Sequence, residues 1–222
     1  MTSWQLAAVN AVWTKTPLYR QLEIRPGVTA VIGSGGKTSL IEKLCGELPG
    51  TVIVCTSTHI FPAEGMPLVT GRLEKMPAEQ VCVGTPAEYG KLTAPAQPFA
   101  ELAKLADYVL VEADGAKRLP LKAHLDYEPV IPAEANQVIQ VVGLSGMGQR
   151  ISQAAHRPER YAVICGCTVE DIAIPERMAK VLNTEALADR YVLNQADDPE
   201  DEKFGRTLAA LLGKPTILTK LK

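Results

Sequence analysis

The stretch AVIGSGGKTSLIEKL, residues 30–44, decides how the chain is read. A short apolar run meets Gly33, Gly35 and Gly36, then Lys37 and Thr38, then an apolar stripe at helical spacing. Strand, glycine turn and helix in that order form a phosphate-binding loop of the pattern G-x-x-G-K-T, shorter than the common G-x-x-x-x-G-K-[ST]. Glycines let backbone N–H groups approach anionic oxygens with no Cβ in the way, and the following helix points its positive end at the same place. The loop Gly33, Ser34, Gly35, Gly36, Lys37, Thr38 and Ser39 is therefore the candidate nucleotide-binding segment. Lys37 supplies a mobile charge for the β- and γ-phosphates, and the Thr38 hydroxyl is a candidate ligand of Mg²⁺.

Outward from this loop, apolar β-branched runs recur at 28–32, 51–55, 107–111, 138–142, 161–165, 191–193 and 216–218. They lack polar alternation, as strands covered on both faces do. Helical stripes lie between them: Leu40, Ile41, Leu44 and Leu48; Leu102, Leu105 and Ala106; Met178, Val181 and Leu182 after Pro175; Phe204, Leu208, Leu211 and Leu212 after Asp198-Pro199. This alternation predicts an α/β fold of three layers, with a mostly parallel sheet and helices on both faces. The chain, 1–222, reads as one such domain with irregular excursions at 84–98 and 115–136.

A second constellation follows at DYVLVEADGAKRLPLKAH, residues 107–124, where an apolar strand ends in Glu112 and Asp114. Two residues apart on extended backbone they face the same way, at the edge where open parallel sheets place ligands. One carboxylate, Asp114 with Thr38, is expected to hold Mg²⁺ and the other to orient a nucleophile, so Lys37, Glu112, Asp114 and Lys117 form the candidate catalytic set. Lys117, Arg118 and Lys122 are cations placed to stabilise transferring charge or to receive a second anionic substrate. Thr56, Thr58 and His59 leave the second strand at the same edge. In YVLNQADDPE, residues 191–200, Asn194 and Asp197 sit like the base-reading pair of N-K-x-D, with Gln195 where that pattern has lysine; ATP and GTP both remain open.

Composition bounds the alternatives. With 46% hydrophobic and 22% charged residues and a net charge of −2, the chain has an ordinary core and no basic face for nucleic acid. Neither a signal peptide in Met1–Asn10 nor a membrane-length apolar run is expected, and five cysteines, mostly in apolar runs, fit a reducing cytoplasm. The pair Cys165 and Cys167 matches no zinc spacing.

Taken together, GSGGKTSL, TSTHIFP, VEADGAKRLPLKA, YEPVIP, VVGL, HRPE and LNQAD resemble the YqeC family, described as accessory proteins of selenium-dependent molybdenum hydroxylases. The block at 111–123 is the most specific part. The resemblance implies a P-loop NTPase fold and, as partners, a molybdenum hydroxylase or its maturation factors. It carries Gly33, Gly36, Lys37 and Thr38 as phosphate and metal residues and Glu112, Asp114 and Lys117 as the second set. His156 and Arg157 match a family block and are expected to be a buried or turn-capping pair. The leading expectation is a slow Mg²⁺-dependent NTPase. The alternatives are a small-molecule kinase or ligase, and an interaction module with a vestigial nucleotide site.

Overall fold

The computed structural model describes residues 15–221. The expectation for Met1–Asn10 lies outside them. The strands are β1 (Gly27–Gly33), β2 (Val52–Thr56), β3 (Leu68–Val69), β4 (Gln80–Val83), β5 (Thr85–Pro86), β6 (Leu92–Thr93), β7 (Tyr108–Glu112), β8 (Leu121–Lys122), β9 (Ala135–Gly143), β10 (Ala155–His156), β11 (Arg190–Asn194) and β12 (Thr216–Leu218). The helices are α1 (Leu18–Gln21), α2 (Lys37–Cys45), α3 (Phe99–Leu102), α4 (Ile151–Ala154), α5 (Pro158–Cys165), α6 (Pro175–Glu185) and α7 (Pro199–Leu211).

Eight strands form one sheet in the order β12-β11-β9-β1-β7-β2-β4-β3, and every neighbouring pair is parallel. Period-two alternation divides its side chains between two cores. Val52, Val54 and Leu110 pack with Leu40, Ile41 and Leu44 of α2, whereas Ile53, Cys55, Val109 and Val111 pack on the other face with Leu102 and Ala106. A further cluster joins Val142, Tyr191 and Leu193 to Met178 and Leu182 of α6 and Leu208 of α7. The fold is thus the expected three-layer α/β arrangement.

Because the large sheet is all parallel, the carboxyl ends of its strands share one edge. Gly33, Thr56, Glu112, Gly143 and Asn194 close β1, β2, β7, β9 and β11 there. Strand β1 lies between β7 and β9, with Val31 in register with Glu112. The glycine loop and the carboxylate strand are therefore direct neighbours, separated by a single ladder spacing.

Three readings change. The run 161–165, expected as a strand, is the body of helix α5, because Pro158 starts it at a first-turn position and Gly166, at φ 69°, ends it. Only one side of that helix is covered: Tyr161 is buried while Val163 is 73% exposed, which a strand buried on both faces would not allow. The helix expected through Leu105 and Ala106 is regular only over Phe99–Leu102. The excursions also carry short pairings: β5 and β6 are antiparallel, and β8 at 121–122 runs parallel to β10. Two or four residues leave too little period for a sequence pattern to announce them. Among the described residues, no helix is long and apolar enough to cross a membrane.

Candidate functional site

The loop after β1 keeps its shape because side chains would not fit. Gly35 has φ 83°, and a Cβ there would lie 2.3 Å from the Gly143 Cα; Gly36 has φ 125°, and a Cβ would lie 2.3 Å from the Asn194 Nδ2. Both are therefore required by conformation and by close approach. Distant groups hold the loop: the Gly33 N–H donates to Asp114 Oδ2 (2.9 Å), Ser34 Oγ to the Pro120 carbonyl (2.9 Å), and Asn194 Nδ2 to the Gly35 carbonyl (2.9 Å). Asn194 also accepts from the Leu221 N–H (2.7 Å) and the Thr219 hydroxyl (3.0 Å), so the segment after β12 is tied to the loop.

Lys37 and Thr38 open helix α2 and face the two carboxylates. Lys37 Nζ lies 3.0 Å from Asp114 Oδ1 and 3.6 Å from Glu112 Oε1, and donates to the Gly33 carbonyl at 2.8 Å. At 5% exposure it is buried. The cause is the matched charge beside it: a buried ammonium is tolerable where carboxylates and a carbonyl surround it. Thr38 Oγ1 donates to Glu112 Oε2 at 3.4 Å.

The two carboxylates differ. Asp114 is 1% exposed, and its Oδ2 also meets Lys122 Nζ at 2.9 Å and His124 Nε2 at 2.8 Å. Burial pushes its carboxyl up, but the His124 hydrogen bond and the charges of Lys37, Lys122 and His124 together outweigh burial and hold it well below the aspartate range. Glu112 is raised above its ordinary value, chiefly by burial, with Lys37 opposing and the Asp114 charge adding to the rise. Asp114 is thus the anionic centre of a buried network, and Glu112 is the carboxylate turned toward Thr38 and the cleft.

The network continues away from the loop. Lys122 Nζ lies 3.1 Å from Glu128 Oε2, and Glu128 Oε1 meets Arg157 Nη2 at 3.1 Å. His124 Nδ1 faces Glu185 Oε2 on α6 at 2.8 Å. Burial opposes the imidazolium, yet the hydrogen bonds to Asp114 and Glu185 and their charges raise His124 overall. Lys122, 1% exposed, is therefore a structural counter-ion, not a receiver of a second anion. His124, Glu128 and Glu185 escaped the sequence reading; only the position of His124 at the end of the 107–124 block signalled anything. Arg157, at φ 69°, starts helix α5, and buried His156 makes no hydrogen bond through either ring nitrogen.

Two cavities meet at the loop. The smaller, about 610 Å³, is lined by Gly36, Ser39, Asn194, Gln195, Asp197 and the Lys220-Leu221 segment. The larger, about 840 Å³, runs from Gly35–Ser39 past Glu112 to His59–Pro62, Lys91 and residues 115–119. Lys117 and Arg118 sit there, both in left-handed conformations (φ 49° and 61°), and so does His59. Thr56, by contrast, is fully buried, its hydroxyl donating to the Glu112 carbonyl at 2.7 Å, and the Thr58 N–H donates back to Thr56 Oγ1. Gln195 Oε1 accepts from Ser145 Oγ at 2.6 Å. Cys165 and Cys167 are free thiols beside α5 and α6, and burial pushes Cys165 up to about 12.

Comparison with known proteins fits the region just described. The model of the family described as YqeC protein matches residues 29–159, which hold the loop, both carboxylates and the network as far as Arg157. The Escherichia coli (strain K12) protein described as uncharacterized protein YqeC is 34% identical over 160 residues, 65% of this chain and 62% of its own length. The matched part thus spans less than two thirds of that relative. With more than half of its residues, 29–159, covered by the family model, the chain belongs to the YqeC family.

Proposed function

We propose that this chain binds a nucleoside triphosphate with Mg²⁺ and hydrolyses it slowly, as an accessory factor in maturing a selenium-dependent molybdenum hydroxylase. The observation that carries the nucleotide reading is the meeting of the glycine loop, Lys37 and Thr38 with Glu112 on the adjacent strand. The accessory role rests on the family's description alone.

In this reading the loop N–H groups and the N-terminus of α2 receive the phosphates, and the smaller cavity receives the base. Lys37 moves from Asp114 and Glu112 to the β- and γ-phosphate oxygens, exchanging one set of anionic partners for another. Thr38 Oγ1 and Glu112 Oε2, 3.4 Å apart, are the oxygens suited to Mg²⁺. No group of three or more His, Cys, Asp or Glu suited to a metal occurs among the described residues. That fits Mg²⁺, which binds through one or two protein oxygens together with substrate phosphates and water. Bound there, Mg²⁺ would neutralise charge on the β- and γ-phosphates. Glu112 then orients the attacking water. Asp114 keeps Gly33 and Lys37 in place rather than ligating the metal itself. At the base, Asp197 is the candidate reader and Lys220 lines the position that Gln195 leaves without a lysine.

Calorimetric titration of ATP and GTP with Mg²⁺ tests this. Wild type should bind at least one of them, and Lys37→Ala should weaken binding by more than tenfold, since hydrogen bonds to charged groups contribute about 1.5–3 kcal/mol each. A modest preference for GTP, lost in Asp197→Ala, is expected. Affinities in Lys37→Ala within about twofold of wild type would remove the reading.

A further inference from the structure

We propose that the larger cleft, from Phe61 and Lys91 to Arg118, holds a second binding site, for a small organic oxyanion with an apolar body, seated beside the terminal phosphate of the nucleotide. The inference rests on the nucleotide reading above and names the class of co-substrate that would share its site.

Space is the first reason. The two cavities share Gly36, Ser39 and Gln195, so the phosphate loop stands at their junction. A nucleotide with its base beside Asp197 and its phosphates on the loop is accommodated up to Thr38 and Glu112. The same cleft, about 840 Å³, is also lined by His59, Phe61, Met66 and Lys91, and by Gly115–Leu119 between the loop anchors Asp114 and Pro120.

Charge is the second. Lys37 and Lys122, the buried cations near the loop, are each matched by two carboxylates. Lys91, Lys117 and Arg118 line the larger cleft, and among the described residues none of them pairs with a carboxylate. Glu42, Glu64 and Glu112 are the carboxylates of the lining, and Glu112 faces Lys37. Three unmatched cations against the two remaining glutamates favour an anion, and Arg118 offers the planar fork that suits a carboxylate or phosphate. Lys117 and Arg118 both have left-handed backbone, at a cost of about 1 kcal/mol or more each.

The wall is the third. Phe61 is 57% exposed, with Lys91 Nζ 5.4 Å from its ring centre, and Ile60, Met66 and Leu119 continue the apolar surface. A cavity with apolar walls and a few convergent cations suits a small molecule with an anionic head and an aliphatic or aromatic body. Inorganic anions would use the cations alone.

The test uses phenyl phosphate and benzoate as probes, with inorganic phosphate for comparison. Each is titrated calorimetrically into full-length protein already saturated with Mg²⁺ and a non-hydrolysable ATP or GTP analogue. We expect at least one aromatic probe to bind more tightly than inorganic phosphate, and the favoured probe shows which oxyanion the site prefers. Arg118→Ala should weaken it at least tenfold, and Phe61→Ala should abolish its advantage over inorganic phosphate. Phe61→Ala and Lys91→Ala should leave nucleotide affinity within twofold. Protein that binds nucleotide but neither aromatic probe overturns this inference and leaves the nucleotide reading standing. Probe binding indifferent to Arg118→Ala, or displaced by the nucleotide, also overturns it. Failure to bind any nucleotide overturns both.

Discussion

Replacing Asp114 by asparagine keeps the shape of the side chain and removes the charge on which two lysines and His124 converge. Lys37, Lys122 and His124 lie 3.0, 2.9 and 2.8 Å from its oxygens, and all three are buried. Removing one partner from a buried ion pair costs about 3–5 kcal/mol. Here the remaining partners pull the value to the lower end. Lys37 retains Glu112 at 3.6 Å, Lys122 retains Glu128 at 3.1 Å, and His124 can lose its proton while keeping Glu185. A loss of about 3 kcal/mol should lower the melting temperature by about 6–12 °C in a chain of this size. Acidity supplies the sharper signature. The folded-state pKa of Asp114 lies below its ordinary 3.8, so its stabilisation is fully present above that value and is lost as pH falls through the folded pKa. Urea unfolding of wild type and Asp114→Asn, from about pH 5, below the ordinary histidine range, down to about pH 3, should show a gap that narrows on acidification. A variant that melts within about 2 °C of wild type at neutral pH, or a gap that widens in acid, would refute the reasoning.

Two further outcomes are open to measurement. Gly36→Ala should lose nucleotide binding and melt lower than wild type, because its Cβ would press on the Asn194 amide at 2.3 Å in a left-handed conformation; unaltered binding would mean that the loop adjusts freely. The pKa of His124 is raised above 6.5, so its contribution is complete below that value and is lost as pH rises through the folded pKa. His124→Gln should therefore flatten the decline in stability on the alkaline side, and an unchanged alkaline limb in urea titrations would contradict the assignment.

The parts of this arrangement that sequence disclosed are those with a local rule. Glycine spacing, apolar runs and a proline-marked helix start are written within a few residues, so β1, α2, β7, β11 and α7 could be placed directly. Helix α5 misled because eight residues rich in Val, Ile and Tyr carry the composition of a strand, while Pro158 and Gly166 carried the better signal. Glu112 and Asp114 were legible as a pair, but their division of labour was not. It depends on Lys122 and His124 folding back from within the same block onto Asp114, and on Glu185 reaching His124 from α6, contacts that spacing alone does not announce. The burial of Lys37 follows from the same cause, since a lysine's surroundings belong to the tertiary structure.

The way the glycine loop is held limits its transfer to other proteins. Its backbone and side chains are anchored by residues 81, 86 and 159 positions away: Asp114 on Gly33, Pro120 on Ser34, and Asn194 on Gly35. Asn194 is itself held by Leu221. Residues 33–39 grafted into a foreign strand-turn-helix would bring the glycines and the lysine, but nothing to match that lysine's charge or to hold the Gly33 N–H, the Ser34 hydroxyl and the Gly35 carbonyl. The smallest transplantable unit is the loop with Glu112–His124, Glu128, Glu185 and the β11–β12 end, which amounts to most of the sheet edge. In this chain the short sequence motif is a label for a site whose material is spread over nearly the whole polypeptide.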